Sequence, residues 1–157
     1  LSYKAQKIGL NPEMVLSGRR INESMTSFVV SKVERLMKDK LLEISGSNVL
    51  VMGLTFKENC PDIRNSKVFD LIRILQQKGA TIDIFDPVLS KLPDLNFKGF
   101  ELLKYPKKDF YDAIIFCVKH QELLEIGIKN IKSMCKESSV IYDITSSFPK
   151  THVDGRL

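Results

Sequence analysis

The sequence predicts an α/β protein: a parallel β-sheet with helices on both faces, preceded by a long N-terminal helical segment. Three observations carry this. Four short apolar runs recur after residue 46: SNVLVMG (47–53), ATIDIFDP (80–87), YDAIIFCV (111–118) and SSVIYDIT (138–145). Two of the intervals between them, SKVFDLIRILQQKG (66–79) and HQELLEIGIKNIKSMCKE (120–137), have helical character. Before the runs, Ile21, Met25, Phe28, Val29, Val33, Leu36 and Met37 recur at steps of three and four, the apolar stripe of an amphipathic helix. Short apolar strands joined by helices give a parallel sheet, and its crossovers are expected to be right-handed.

Residues 1–45 read as helix, with Asn11 as cap, Pro12 in the first turn and the break at Ser45-Gly46-Ser47. The domain division expected is therefore a helical, dimer-forming segment over 1–45 and a sheet domain over 46–157. Gly79 is a helix C-terminal signal, Pro87 stops the second strand, and Gly127 interrupts the last helix. The stretch 88–110 is irregular. Ligands of such sheets bind outside the carboxyl ends of the strands, which points at 53–65, 86–88, 118–121 and 143–147.

Composition excludes several functions. The chain has 157 residues, about one domain, with ordinary globular composition at 43% hydrophobic and 27% charged. No apolar run approaches the roughly 20 residues that span a bilayer, and the start, LSYKAQKIGL, lacks the features of a signal peptide. The expected setting is the cytoplasm, with no membrane partner. The net charge of +5 comes from scattered lysines beside acids, as in VERLMKDK, and not from a basic stripe with interleaved aromatics. No nucleic-acid partner is expected, although a positive bias suits an anionic small ligand. Three widely spaced cysteines without a CxxC argue for reduced thiols, and His120 and His152 lack partners at metal-ligand spacing, so no metal is expected.

The richest stretch is GLTFKENCPDIRNSK, residues 53–67. A dinucleotide site would show GxGxxG after the first strand. This loop has one glycine and is longer, and it carries Lys57, Asp62 and Arg64. Side chains could contact an anion here: Lys57 as a point charge, Arg64 as a bidentate fork, with Phe56 offering an apolar face to a base or sugar. On residues alone, solvated loop charges and a core Phe56 account for it as well. Asp86 could bind ribose hydroxyls, but without GxGxxG the favoured reading is a cap for the turn before Pro87. Cys60 has cations but no histidine nearby in sequence, and Pro61 follows, so a structural position is favoured over a nucleophile. Cys117 in a strand and Cys135 in a helix are expected to be buried.

GLTFKENCPDIRNSKVFDLI followed by IDIFDP resembles the start of the C-terminal domain of the UDP-glucose/GDP-mannose dehydrogenase family. The form FKENCPD-x-RN is most similar to its UDP-N-acetylhexosamine dehydrogenases, used in capsule and O-antigen synthesis. LSYKAQKIGLNPEMVLSGRRINESM resembles the segment after that family's catalytic region, leading into its central helix, and VDGRL resembles a natural C-terminus. With no initiator Met, Leu1 is expected to be an internal point of a longer protein.

The resemblance implies a three-part enzyme. An N-terminal Rossmann domain binds NAD, a central helix forms a homodimer, and a Rossmann-like C-terminal domain grips the UDP of the substrate. The sugar C6 hydroxymethyl is oxidised to a carboxylate with two NAD, through a cysteine in a GFGGxCFPKD-like motif. That motif and the NAD fingerprint are absent from this chain, so no catalytic residue is expected in it and it is expected to be inactive alone. Carried over by position, Phe56 and Lys57 fall on the pair that contacts the substrate, and Arg64 on an arginine that reaches the cofactor's phosphates. One departure stands out: relatives often carry a basic residue just past the Asp of the last strand, whereas here no Lys or Arg follows Asp143 until Lys150.

Overall fold

The computed structural model describes Lys7, residues 12–91 and residues 101–157. The expected cap, Asn11, and much of the expected first turns lie outside these residues. Helix α1 spans Glu13–Asp39 and leads into strand β1 (Asn48–Met52). Helix α2 (Val68–Gln77), strand β2 (Thr81–Phe85), strand β3 (Tyr111–Phe116), helix α3 (Gln121–Lys132), strand β4 (Cys135–Asp143) and a two-residue strand β5 (Gly155–Arg156) follow. All strands are parallel, in the order β2-β1-β3-β4-β5.

The pleat sorts the apolar runs into two cores. Val49, Val51, Ile84, Ala113, Ile115, Val140 and Tyr142 face one side, beneath α1 and α2. Leu50, Met52, Phe85, Ile114, Phe116 and Ile141 face the other, beneath α3. Because successive strand residues alternate sides, a strand covered on both must be apolar throughout. Each fully buried aliphatic side chain contributes about 1.5–3 kcal/mol.

The stripe on α1 divides. Val29, Val33 and Met37 are buried in the chain's own core, together with the neighbouring Val30. Ile21 and Phe28 stay 63% and 45% exposed. The sheet and α2 cover the C-terminal half of the stripe, so only its N-terminal part stays exposed to meet another surface.

The last helix is shorter than its sequence suggests. Gly127 does interrupt it, at φ 74° and ψ 150°. The chain then turns at Ser133–Met134 and enters β4 at Cys135, inside the stretch read as helix to residue 137. Tyr111 pairs with Cys135 across a register shift, and Lys136 Nζ holds both oxygens of Asp112 at 2.8 and 2.9 Å. These contacts draw a polar KESS segment into strand. Cys135 is accordingly a strand residue, buried as expected.

Candidate functional site

A parallel sheet gathers its strand ends on one edge, and the reversal of order between β1 and β3 opens a crevice there. Gly53 makes the crevice possible. Its φ is +88°, and a Cβ would lie 2.7 Å from Val118 Cβ and 2.9 Å from Val118 N. The ends of β1 and β3 thus approach closer than any side chain permits.

Beyond Gly53 the loop folds on itself. Phe56 N–H donates to Asp62 O at 2.7 Å, and Lys57 and Cys60 form an isolated antiparallel bridge. Asn59, at φ +54°, takes the left-handed conformation that asparagine tolerates best among non-glycine residues.

A buried polar cluster anchors this hairpin. His120 Nδ1 accepts the Asn59 N–H at 2.9 Å, which assigns the ring proton to Nε2. Nε2 faces Asp86 Oδ2 at 3.2 Å and Thr55 Oγ1 at 3.0 Å, and the Thr55 hydroxyl donates to Lys57 O at 2.8 Å. Asn59 Oδ1 in turn accepts from Gln121 N–H at 2.9 Å, at the start of α3. Thr55, Asp86 and His120 are all buried.

Asp86 does cap its turn, accepting from Val88 and Leu89 N–H at 2.9 and 3.0 Å. It also accepts from Leu54 N–H at 2.7 Å. Burial pushes its carboxyl up, but hydrogen bonds from His120 and from the Leu54 and Leu89 amides outweigh it and hold the group below 3.8. Every acceptor site of this carboxylate is engaged, so none is available to ribose hydroxyls. Together with the glycine-poor turn, this means that these residues do not form a dinucleotide site of their own.

Two cavities flank the hairpin and share Phe56, Cys117 and Val118 as a common wall. One, of about 460 Å³, is mainly apolar and lies between Met25 and Val29 of α1 and Val68 and Leu71 of α2. The other, of about 610 Å³, adds Lys57, Glu58, Lys119 and Thr145. Phe56 is 58% exposed, so it faces the cavities and does not fill the core. Lys57 is exposed in the second cavity.

Arg64 lines neither cavity. Its guanidinium forks onto Asp62, Nε to Oδ1 at 2.9 Å and NH2 to Oδ2 at 2.7 Å, while staying 85% exposed. The Arg64 side chain, then its amide, brings the Asp62 carboxyl down to about 2. After β4, Asp143 accepts from Thr145 N–H and Oγ1 and from Phe148 N–H, so this turn presents hydroxyls where a basic side chain was sought.

The cysteines differ. Cys117 lies one residue past β3, not within the strand, and is only half-buried at the cavity wall. Burial, then the Asp143 carboxylate, drive its thiol far up, away from the thiolate. Burial also raises Cys135. Cys60, half-buried, bridges to Lys57 through its backbone. Among the described residues no group of three His, Cys, Asp or Glu converges, and no helix is long and apolar enough to cross a membrane.

Sequence reasoning did not single out His120, Asn59, Thr55 or Lys119. The strand-end rule had marked 118–121, and a search of that segment for cations would have found Lys119.

Residues 50–150 match the UDP binding domain of the UDP-glucose/GDP-mannose dehydrogenase family. A UDP-N-acetyl-D-glucosamine 6-dehydrogenase of Pseudomonas aeruginosa is 40% identical over 157 residues, covering 100% of this chain and 37% of that protein. The protein of the same name from Salmonella typhi is 38% identical, again over 100% of this chain and 37% of its own length. Among solved structures, the UDP-N-acetyl-mannosamine dehydrogenase from S. aureus superposes with a TM-score of 0.66 at 26% identity, covering 92% of this chain and 32% of that one. The chain thus spans about 37% of the length of these curated relatives. With its Rossmann-like sheet and this match over residues 50–150, the chain belongs to the UDP-glucose/GDP-mannose dehydrogenase family.

Proposed function

We propose that this chain is the C-terminal, nucleotide-sugar-gripping portion of an NAD-dependent UDP-sugar 6-dehydrogenase. The whole enzyme oxidises the C6 hydroxyl of a UDP-N-acetylhexosamine or UDP-glucose to a carboxylate, in the cytoplasm, for polysaccharide biosynthesis. The observation that carries the reading is the crevice: an apolar cavity joined through Phe56 to one of mixed lining that holds Lys57. A UDP-sugar has matching parts, with flat or ring-shaped ends joined by an anionic diphosphate. Desolvating that diphosphate requires donors, and Lys57 supplies one while Phe56 offers its face to a ring. The two relatives near 40% identity, both named for UDP-N-acetyl-D-glucosamine, support the N-acetylhexosamine substrate.

NAD is held mainly by the part of the enzyme outside this chain, and Arg64 contributes from this side. Its exposure and its separation from both cavities support that division of labour. Residues 46–157 form the sugar-nucleotide domain, and residues 1–45 carry the homodimer contact through Ile21 and Phe28. Among the described residues we assign no catalytic group: the Cys117 and Cys135 thiols are raised, and both nitrogens of His120 are engaged. Alone, the chain does not reduce NAD.

Calorimetry of the chain with UDP, UDP-GlcNAc, UDP-GalNAc, UDP-glucose and GDP tests this. The uridine ligands bind in preference to GDP. Lys57→Ala weakens UDP binding by roughly 1.5–3 kcal/mol, the range for a charge-assisted hydrogen bond, while Arg64→Ala leaves it nearly unchanged. Equal losses in the two variants would make the loop a single undivided phosphate site.

A further inference from the structure

We propose that Lys119 is a second phosphate-binding cation, set beside Lys57 by the Asn59–His120 clasp so that two ammonium groups share one diphosphate. This rests on the reading of the crevice as the UDP site and goes beyond it by adding a residue and the device that positions it.

Charge distribution carries the argument first. Other cations near this edge are spent on acids: Arg64 on Asp62, Lys67 on Asp70 and Lys91 on Glu122. Lys57 and Lys119 have no acid partner among the described residues, yet they line the same cavity. The carboxylates that could have answered them face inward. Asp86 is saturated by amides and His120, and Asp143 by the amides of Thr145 and Phe148 and the Thr145 hydroxyl. One carboxylate remains on the wall, Glu58, against two lysines. Like charges held together repel unless an anion joins them.

The clasp explains how they are held together. Lys57 sits on a hairpin after β1, and Lys119 on the β3–α3 junction. Asn59 stitches one to the other twice, through its amide onto His120 Nδ1 and through its side chain from Gln121 N–H. His120 is itself buried and fixed from below by Asp86 and Thr55. Lys119 lies between two buried residues, Val118 and His120, so its backbone is anchored while its side chain stays exposed. The polar cluster is thus a positioning device, and both lysines are presented from fixed backbone.

Calorimetry of this chain with UDP, UMP and uridine tests the proposal. Lys119→Met lowers UDP affinity about tenfold, lowers UMP affinity less, and leaves uridine unchanged; Lys119→Arg retains UDP binding. Glu58→Gln tightens UDP. Asn59→Gly, which keeps the positive φ and both lysines, weakens UDP but not uridine, with an unchanged far-UV spectrum. If Lys57→Met weakens UDP while Lys119→Met stays within about twofold of wild type (well under the tenfold step of 1.4 kcal/mol), Lys119 is not a phosphate ligand and the UDP reading survives. If Asn59→Gly weakens UDP and uridine equally, the clasp is only structural. If the unmodified chain binds neither UDP nor UMP, both readings fall.

Discussion

Replacing Asp86 with asparagine changes almost no volume, yet it should be among the more damaging substitutions at this edge. A carboxylate presents acceptors on both oxygens, whereas an amide presents one acceptor and one donor group. Four donors converge on Asp86: the N–H groups of Leu54, Val88 and Leu89, and Nε2–H of His120. If the amide oxygen faces Leu54 and His120, the NH2 meets Val88 and Leu89. If it is turned over, the NH2 meets Leu54 and His120, and His120 cannot change tautomer without losing Asn59. Leu54 and Leu89 are buried, so either orientation strands an amide that water cannot reach. A stranded buried donor costs about 1–3 kcal/mol, and losing the charge weakens the surviving bonds by about 1 kcal/mol more. The total, roughly 2–4 kcal/mol, corresponds to a drop in Tm of roughly 10 °C for a chain of this size.

Thermal and urea unfolding would measure it, with the exposed Asp39→Asn as a control within about 0.5 kcal/mol. The pH dependence adds a second check. The folded carboxyl lies below its ordinary 3.8, so its contribution is fully present above that pH and is lost as pH falls through the folded value. The gap between wild type and Asp86→Asn should therefore narrow below about pH 4. An Asp86→Asn protein as stable as wild type at neutral pH would refute the four-donor account.

Gly53→Ala should cost roughly 2–5 kcal/mol in denaturant unfolding, combining left-handed strain with overpacking against Val118, and should weaken UDP binding because the β1 and β3 ends must part. The proposed dimer should sediment as such at tens of micromolar (an order of magnitude suited to a standard-sized interface), and Ile21→Ser with Phe28→Ser should leave a monomer. A double variant that still dimerises would move the contact elsewhere.

Much of the fold is local and therefore legible. The strand β1 announces itself by the apolar run Val49–Met52, β3 by Ala113–Phe116 and β2 by Ile82, Ile84 and Phe85, and Gly79, at φ 90°, ends α2 where its sequence says it should. The start of β4 is not local. Cys135–Glu137 reads as the end of a helix, and it becomes strand through Asp112 and Tyr111, far back in the chain. Likewise β5 exists because Asp154 accepts the Ile141 N–H at 2.7 Å and pairs with Lys40. At the site, the strand-end rule located the loop 53–65, whose Phe56 and Lys57 line a cavity. His120 was not readable: its partners Asp86, Asn59 and Thr55 stand 34, 61 and 65 residues away, and a lone histidine carries no periodic signature.

The two rims of the sheet have a consequence for how copies of this chain can meet. An open parallel sheet ordinarily offers unpaired backbone along its outer strands, a template for adding another chain. Here β2 has Leu102 bridged to Ile84 on its outer side, with Leu103 N–H donating to Ile84 O at 2.8 Å. Lys107 and Tyr111 close the same side onto Asp83. At the opposite rim β5 is two residues long, too short to seed further strands. Sheet continuation is therefore blocked along β2, which guards that rim against runaway strand addition and favours the helical layers as surfaces for recognition.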